Sequence, residues 1–184
     1  MSRVGEELAG HRMSLGLTQT EYGRRIGAAR QSVSAWERGE GRIPPDILGT
    51  IIREMRAPRL ALMASAESPL TLVPVPWLDR TDTHPLAMIH QAQYHRHSAA
   101  GAGESLERLV FNRKCRDDLG EEEWAELKEL MARIVENYVA DSHLFVTMAE
   151  VYDWDPWEAA ADAQDECYRK GYISHRRDRL AYAG

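Results

Sequence analysis

Residues 18–39, TQTEYGRRIGAARQSVSAWERG, constrain the fold more tightly than any other stretch of the chain. They read as two short helices joined by a tight turn. Thr18 is a good N-cap, and Glu21, three positions on, completes a reciprocal capping box. Tyr22 and Ile26 lie four apart and share one helical face. Gly27 ends the first helix, because glycine takes a positive φ without steric cost. Val33 and Trp36 supply the apolar face of the second helix. Gly23 has no side chain, which predicts close approach of a crossing helix there.

Taken together, Gln19, Gly23, Ile26, Gly27, Val33, Trp36 and the closing Glu37-Arg38-Gly39 resemble the helix-turn-helix of the Cro and lambda-repressor (XRE-type) family. The resemblance covers roughly the first third of the chain, residues 4–55, and implies a multi-helix DNA-binding domain. It implies that Arg30, Gln31 and Ser34 lie on the outward face at the start of the recognition helix and face bases, with Ser32 beside them among the DNA-binding residues. It also implies that Gln19, Arg38 and Arg42 meet phosphates. One position departs from the pattern: Ala29 stands where the family usually has a Ser or Thr cap. The competing reading is two amphipathic helices that only pack. The joint agreement of spacing and residue type at many positions argues against it.

A net charge of −6 is unexpected for a DNA binder until it is divided. Residues 1–57 hold nine arginines against seven carboxylates, a surplus of two. Residues 58–184 hold fourteen basic against twenty-two acidic residues, a deficit of eight. The acidic excess therefore lies outside the motif. Arg3, Arg12, Arg24, Arg25, Arg30, Arg38 and Arg42 form the expected positive face, on which phosphate affinity depends more than on the sum. So small a surplus predicts modest non-specific binding for a monomer.

The rest of the chain also reads as helical. Residues 4–14 form a first helix, and Pro44-Pro45 opens another over residues 45–55, with Ile47, Leu48, Ile51, Ile52 and Met55 on its buried face. Pro58 ends that helix, and residues 59–65 give one more short helix. Residues 67–77, ESPLTLVPVPW, are too proline-rich for a helix and are expected to link two domains, residues 1–66 and 78–184. Beyond them, helices are expected over residues 85–98 and 104–119, with a flexible break at residues 100–103. Residues 121–152 contain neither Gly nor Pro. Trp124, Leu127, Met131, Ile134, Tyr138, Phe145, Met148 and Tyr152 fall alternately three and four apart, with Asp141 on the same seam. Unbroken, that helix spans about 48 Å. Asp155-Pro156-Trp157-Glu158 starts a last helix that Gly171 stops, and residues 175–184 form a basic tail. The expected fold is all-α: a lambda-repressor-like head, then a C-terminal helical bundle with one long helix.

Little else in the sequence points to chemistry. His84, His90, His95 and His97 are clustered, but without acidic or cysteine company on one face they read as a polar helix surface. Glu122, Glu123 and Glu126, then Glu150 and Asp153, bear a loose similarity to the EExxE and ExxD carboxylates of MazG-like nucleotide pyrophosphohydrolases. On one continuous helix the two sets would lie about 40 Å apart, and only a turn near Asp141 would bring them together. Cys115 and Cys167 lack metal spacing and a local His partner. No catalytic residue, cofactor or metal is expected. No stretch is apolar enough for a membrane span, and the N-terminus lacks a signal-peptide core, so a reduced, cytoplasmic protein is expected.

The function expected is a sequence-specific DNA-binding transcriptional regulator, a dimer on a pseudo-palindromic operator in double-stranded DNA. The alternatives are a MazG-like hydrolase fused to a DNA-binding module, and an antitoxin-like protein whose acidic half neutralises a partner.

Overall fold

The structure is a computed structural model that describes residues 3–68, 71–76, 78 and 80–172. It is all helical, with no strand among the described residues. The basic tail expected over residues 175–184 lies outside them, as do Pro69, Leu70 and Trp77 of the proline-rich stretch.

Five helices make the head: α1 (Arg3–Ser14), α2 (Gln19–Ile26), α3 (Arg30–Glu37), α4 (Pro45–Glu54) and α5 (Pro58–Ala66). They enclose one core of Leu8, Tyr22, Ile26, Val33, Trp36, Ile51, Ala57 and Leu60. Tyr22 and Val33 are fully buried in it. Pro58 does more than end the preceding helix. It takes the first turn of α5, where its missing N–H leaves no bond unmade.

The body is an antiparallel hairpin of two long helices, α6 (Pro85–Val110) and α7 (Glu121–Tyr152), followed by the shorter α8 (Pro156–Arg169). Asp155 caps α8 by accepting from the backbone N–H groups of Trp157 and Glu158. The break expected at residues 100–103 is absent, and α6 runs through Gly101 and Gly103. Packing overrides the glycine propensity there. Ala102, between them, is fully buried in a cluster with Leu109 and Leu130. The helix expected to reach residue 119 stops at Val110 instead. Asn112 turns the chain with a φ of 61°, and a short 3₁₀ turn (Arg116–Asp118) follows.

The long helix α7 is continuous, as the sequence implied, but its stripe splits. Leu127, Ile134 and Met148 pack towards α6. Asp141, on the same line, accepts from Arg96 Nη2 of α6 at 2.7 Å and from Asn137 Nδ2 at 3.2 Å. The alternate residues Met131, Tyr138, Phe145 and Tyr152 are 45, 51, 51 and 65% exposed. One partner helix covers only one line of a heptad seam, so half of the stripe faces solvent.

Head and body touch through α5 and α7. His143 Nε2 donates to the carbonyl of Pro76 at 2.8 Å, and Val75 beside it is buried. Arg59 pairs with Glu150 at 2.5 Å and Arg56 with Asp153 at 2.6 Å. No helix among the described residues is long and apolar enough to cross a membrane.

Candidate nucleic-acid interface

The site is built on α2 and α3. The capping box forms: Thr18 Oγ1 accepts from the N–H of Glu21 at 3.2 Å, and Glu21 Oε2 accepts from the N–H of Thr18 at 2.8 Å. The Thr18 hydroxyl also donates to Glu21 Oε2 at 2.7 Å, and this bond, with that from the Thr18 N–H, lowers the Glu21 pKa below the usual carboxylate value. Gly27 ends α2 in the left-handed region at φ 69°. Gly23 is needed first by the turn and then by the crossing helix. A Cβ there would lie 2.5 Å from the carbonyl oxygen of Ala28, in the turn itself, and 3.4 Å from Val33 Cγ2 of α3. Gly5 of α1 is a second crossing glycine, where a Cβ would lie 2.5 Å from the carbonyl of Trp36. No helical period marks that close approach among the residues of α1.

Helix α3 starts at Arg30, and Ala29 caps it without a side-chain hydrogen bond. Val33 and Trp36 turn inward, which leaves Arg30 and Gln31 exposed on the first turn and Ser32 and Ser34 half-buried. The three residues singled out for base readout, and Ser32 with them, thus share the opening of one helix. Ser34 has a local partner, since its hydroxyl accepts from Arg38 Nη1.

The residues singled out for phosphate divide. Arg42 is exposed in the loop after α3, and no ion pair to it is seen among the described residues. Arg38 is exposed but held in a fork by Glu40, with Nε–Oε1 at 2.7 Å and Nη2–Oε2 at 2.6 Å. That hydrogen bonding lowers the Glu40 pKa and raises that of Arg38. Gln19 is half-buried, and its amide donates to Glu37 Oε2 at 2.8 Å.

Glu37 carries the network that sequence reading missed. Arg12 of α1 clamps it through Nε at 2.6 Å and Nη2 at 3.2 Å, and Arg12 Nη1 donates to the carbonyl of Leu17 at 2.8 Å. The side chains are only 15% and 9% exposed. Arg12 therefore does not belong to the positive face on which it was counted. It neutralises a buried carboxylate and fixes α1, α2 and α3 together. The remaining exposed cations near the motif include Arg24, Arg25, Arg30 and Arg42. Below α2, His11 Nε2 donates to the carbonyl of Met55 at 3.2 Å. The Tyr22 hydroxyl then donates to His11 Nδ1 at 2.9 Å. Burial lowers the His11 pKa, consistent with a neutral ring.

A short capped helix, a left-handed glycine turn and a second helix with an exposed polar first turn define a helix-turn-helix head. Residues 11–59 match the helix-turn-helix family of the XRE type. The match covers the head alone and supports DNA binding by this N-terminal helix-turn-helix. No curated protein and no solved structure matches the chain.

The other candidate groupings are dispersed. His84 caps α6 by accepting from the N–H of Leu86, His95 approaches Glu136 at 3.7 Å, and His90 and His97 are exposed. No metal-holding group of His, Cys, Asp or Glu occurs among the described residues. The two carboxylate sets on α7 stay at opposite ends, because no turn interrupts the helix near Asp141. Glu123 pairs with Arg113, while Glu150 and Asp153 pair with Arg59 and Arg56 of the head.

Proposed function

We propose that the protein is a sequence-specific transcriptional regulator that binds a pseudo-palindromic operator in double-stranded DNA as a homodimer, in the cytoplasm. The observation that carries the reading is the exposed first turn of α3, with Arg30 and Gln31 outward over the packed Val33 and Trp36. An arginine suits guanine and a glutamine suits adenine in the major groove, each through paired hydrogen bonds. Ser32 and Ser34 supply shorter contacts on the same turn.

Phosphates are met by Arg42 and by Gln19 at the start of α2, where first-turn N–H groups have no intrahelical partner. Arg38 joins them by exchanging Glu40 for a phosphate oxygen. Glu40 thereby acts as a local counter-ion that DNA displaces.

One head with a small charge surplus makes few phosphate contacts, so two acting together raise affinity. The row Met131, Tyr138, Phe145, Tyr152 supplies the surface for pairing, since heptad spacing keeps it on one line of α7. The half-buried Val135, Ser142 and Ala149 lie one turn beyond Met131, Tyr138 and Phe145, so large and small side chains alternate as a second α7 requires.

Selection of bound sites from a random duplex pool, at fixed salt, tests the reading. The wild type is expected to select two half-sites. Gln31→Ala is expected to lose about 1–3 kcal/mol and to relax one position of each. Arg42→Ala should instead weaken binding to all sequences alike. Unchanged site preference in Gln31→Ala would remove Gln31 from base readout.

A further inference from the structure

Between the head and the end of α7 lies a cleft of about 680 Å³ that DNA binding does not use. Its size is that of a small-molecule site, and it sits at a junction between two packed units, where such sites concentrate. One wall comes from α1 and the α4–α5 turn, the other from the end of α7 and the start of α8.

The lining combines apolar and aromatic side chains with charged ones. Met55, Trp154 and Trp157 give the apolar part. In the same lining, Arg59 stands between two carboxylates, with Glu150 at 2.5 Å and Glu7 at 3.9 Å. One guanidinium between two carboxylates leaves an excess of negative charge, and the Glu7 side chain is only 21% exposed. Burial raises the Glu7 pKa, with Glu150 adding to the rise and Arg59 opposing it. The rim is strained as well. Arg56 and Asp153 have φ of 54° and 52°, two of the three non-glycine residues with positive φ among those described, and they are joined by an ion pair across the cleft. Such backbone is held only where its surroundings over-determine it, and it concentrates at ligand clamps.

We propose that this cleft binds a small organic cation with a planar aromatic body. Its ring lies against Trp154 and Trp157, and its ammonium group meets the Glu7 and Glu150 carboxylates. The indoles suit a flat aromatic ring, and the surplus carboxylate charge selects a cation over an anion. Because the walls belong to head and body, occupancy is linked to how the head is held. That consequence for operator affinity rests on the DNA reading above, whereas the binding itself does not.

Calorimetric titration of the full chain with tryptamine, indole and indole-3-propionate separates charge from ring at constant aromatic shape. Tryptamine is expected to bind one site at least tenfold more tightly than indole, with indole-3-propionate weaker still. The isosteric Glu7→Gln and Glu150→Gln should each weaken tryptamine at least threefold, and together at least tenfold. Arg59→Met, which removes the competing cation, should tighten it. No tryptamine binding, equal binding of the three compounds, preference for the carboxylate, or weaker binding in Arg59→Met would each overturn the proposal.

Discussion

The head and the body are both helical, yet they satisfy themselves differently. Five helices of the head surround one cluster, with Tyr22 and Leu8 fully buried at its centre. Its Arg12–Glu37 pair is buried, bidentate and shared with Gln19. The α6–α7 hairpin instead holds two small clusters, one around Met88, Ala92 and Leu144 and one around Ala102, Leu109 and Leu130. Its Arg96–Asp141 pair is partly exposed, and a line of large apolar residues faces water. Helices crossing at angles close around a centre, but two antiparallel helices meet along one line and leave their backs bare. The head is complete in one chain, whereas the bare line of the body is what the proposed second copy would cover.

The largest expected effect lies in the paired charges. Glu37→Ala leaves the Arg12 guanidinium buried without its partner and should cost the head about 3–5 kcal/mol in urea unfolding. Asp141→Ala removes a more exposed pair and should cost under about 1 kcal/mol. Equal losses at both sites would erase the contrast between the two regions.

The exposed row of α7 comes next. Tyr138→Glu places a charge in the proposed α7–α7 contact and should raise the dimer dissociation constant about hundredfold, roughly 2.7 kcal/mol, without unfolding the chain. Sedimentation at micromolar concentration reads this directly. A dimer indifferent to Tyr138→Glu and Phe145→Glu alike would place the interface elsewhere.

Gly23→Ala probes the close approach inside the head. Its methyl meets the Ala28 carbonyl, a backbone atom that cannot rotate away, so a loss of about 1–3 kcal/mol is expected. Gly101→Ala is the control in the body. Nothing lies within 4 Å of its Cβ, so it should stabilise α6 by up to about 1 kcal/mol. Ala29→Ser would give α3 the side-chain cap it lacks and should raise head stability by about 1 kcal/mol.

The smallest effect is on pH dependence. Burial lowers the pKa of His11 in the head and of His143 at the head–body contact, below the usual histidine value of 6.5. The unfolded chain then binds protons that the folded chain refuses. Stability should be level above about pH 6.5 and fall as pH drops through the window below it. Glu7, whose pKa burial raises, works in the opposite direction at lower pH. Comparing unfolding at pH 7.5 and 5.5 in wild type, His11→Gln and His143→Gln isolates the histidines. Each variant should show a shallower decline, and an unchanged slope in both would assign the decline to other groups.

Much of the motif was legible because its determinants are local. Thr18 and Glu21 are three residues apart, and Gly27 needs only its own φ, so a few consecutive residues specify the cap, the turn and the exposed first turn of α3. The unbroken α7 was legible for the same reason, as an uninterrupted helical period without Gly or Pro. Even Ala29 read correctly as a missing cap, because capping is a property of one residue and its neighbours.

The sequence by itself thus determined that this chain is all helical, that residues 18–39 form two helices about a glycine turn, and which residues open the second. Only the tertiary structure decided what each polar and apolar group meets. Arg12 reads as one of many surface arginines until α1 brings it to Glu37, twenty-five positions on, and turns a surface charge into a buried clamp. Gly101 and Gly103 read as a break until burial of Ala102 against α7 held the helix through them. The α7 stripe reads as one seam, and α6 covers half of it. The cleft beside Trp154 and Trp157 has no sequence signature at all, since its walls come from opposite ends of the chain. Helical period and caps are written in neighbouring residues, whereas burial and charge pairing arise only between residues that the fold brings together.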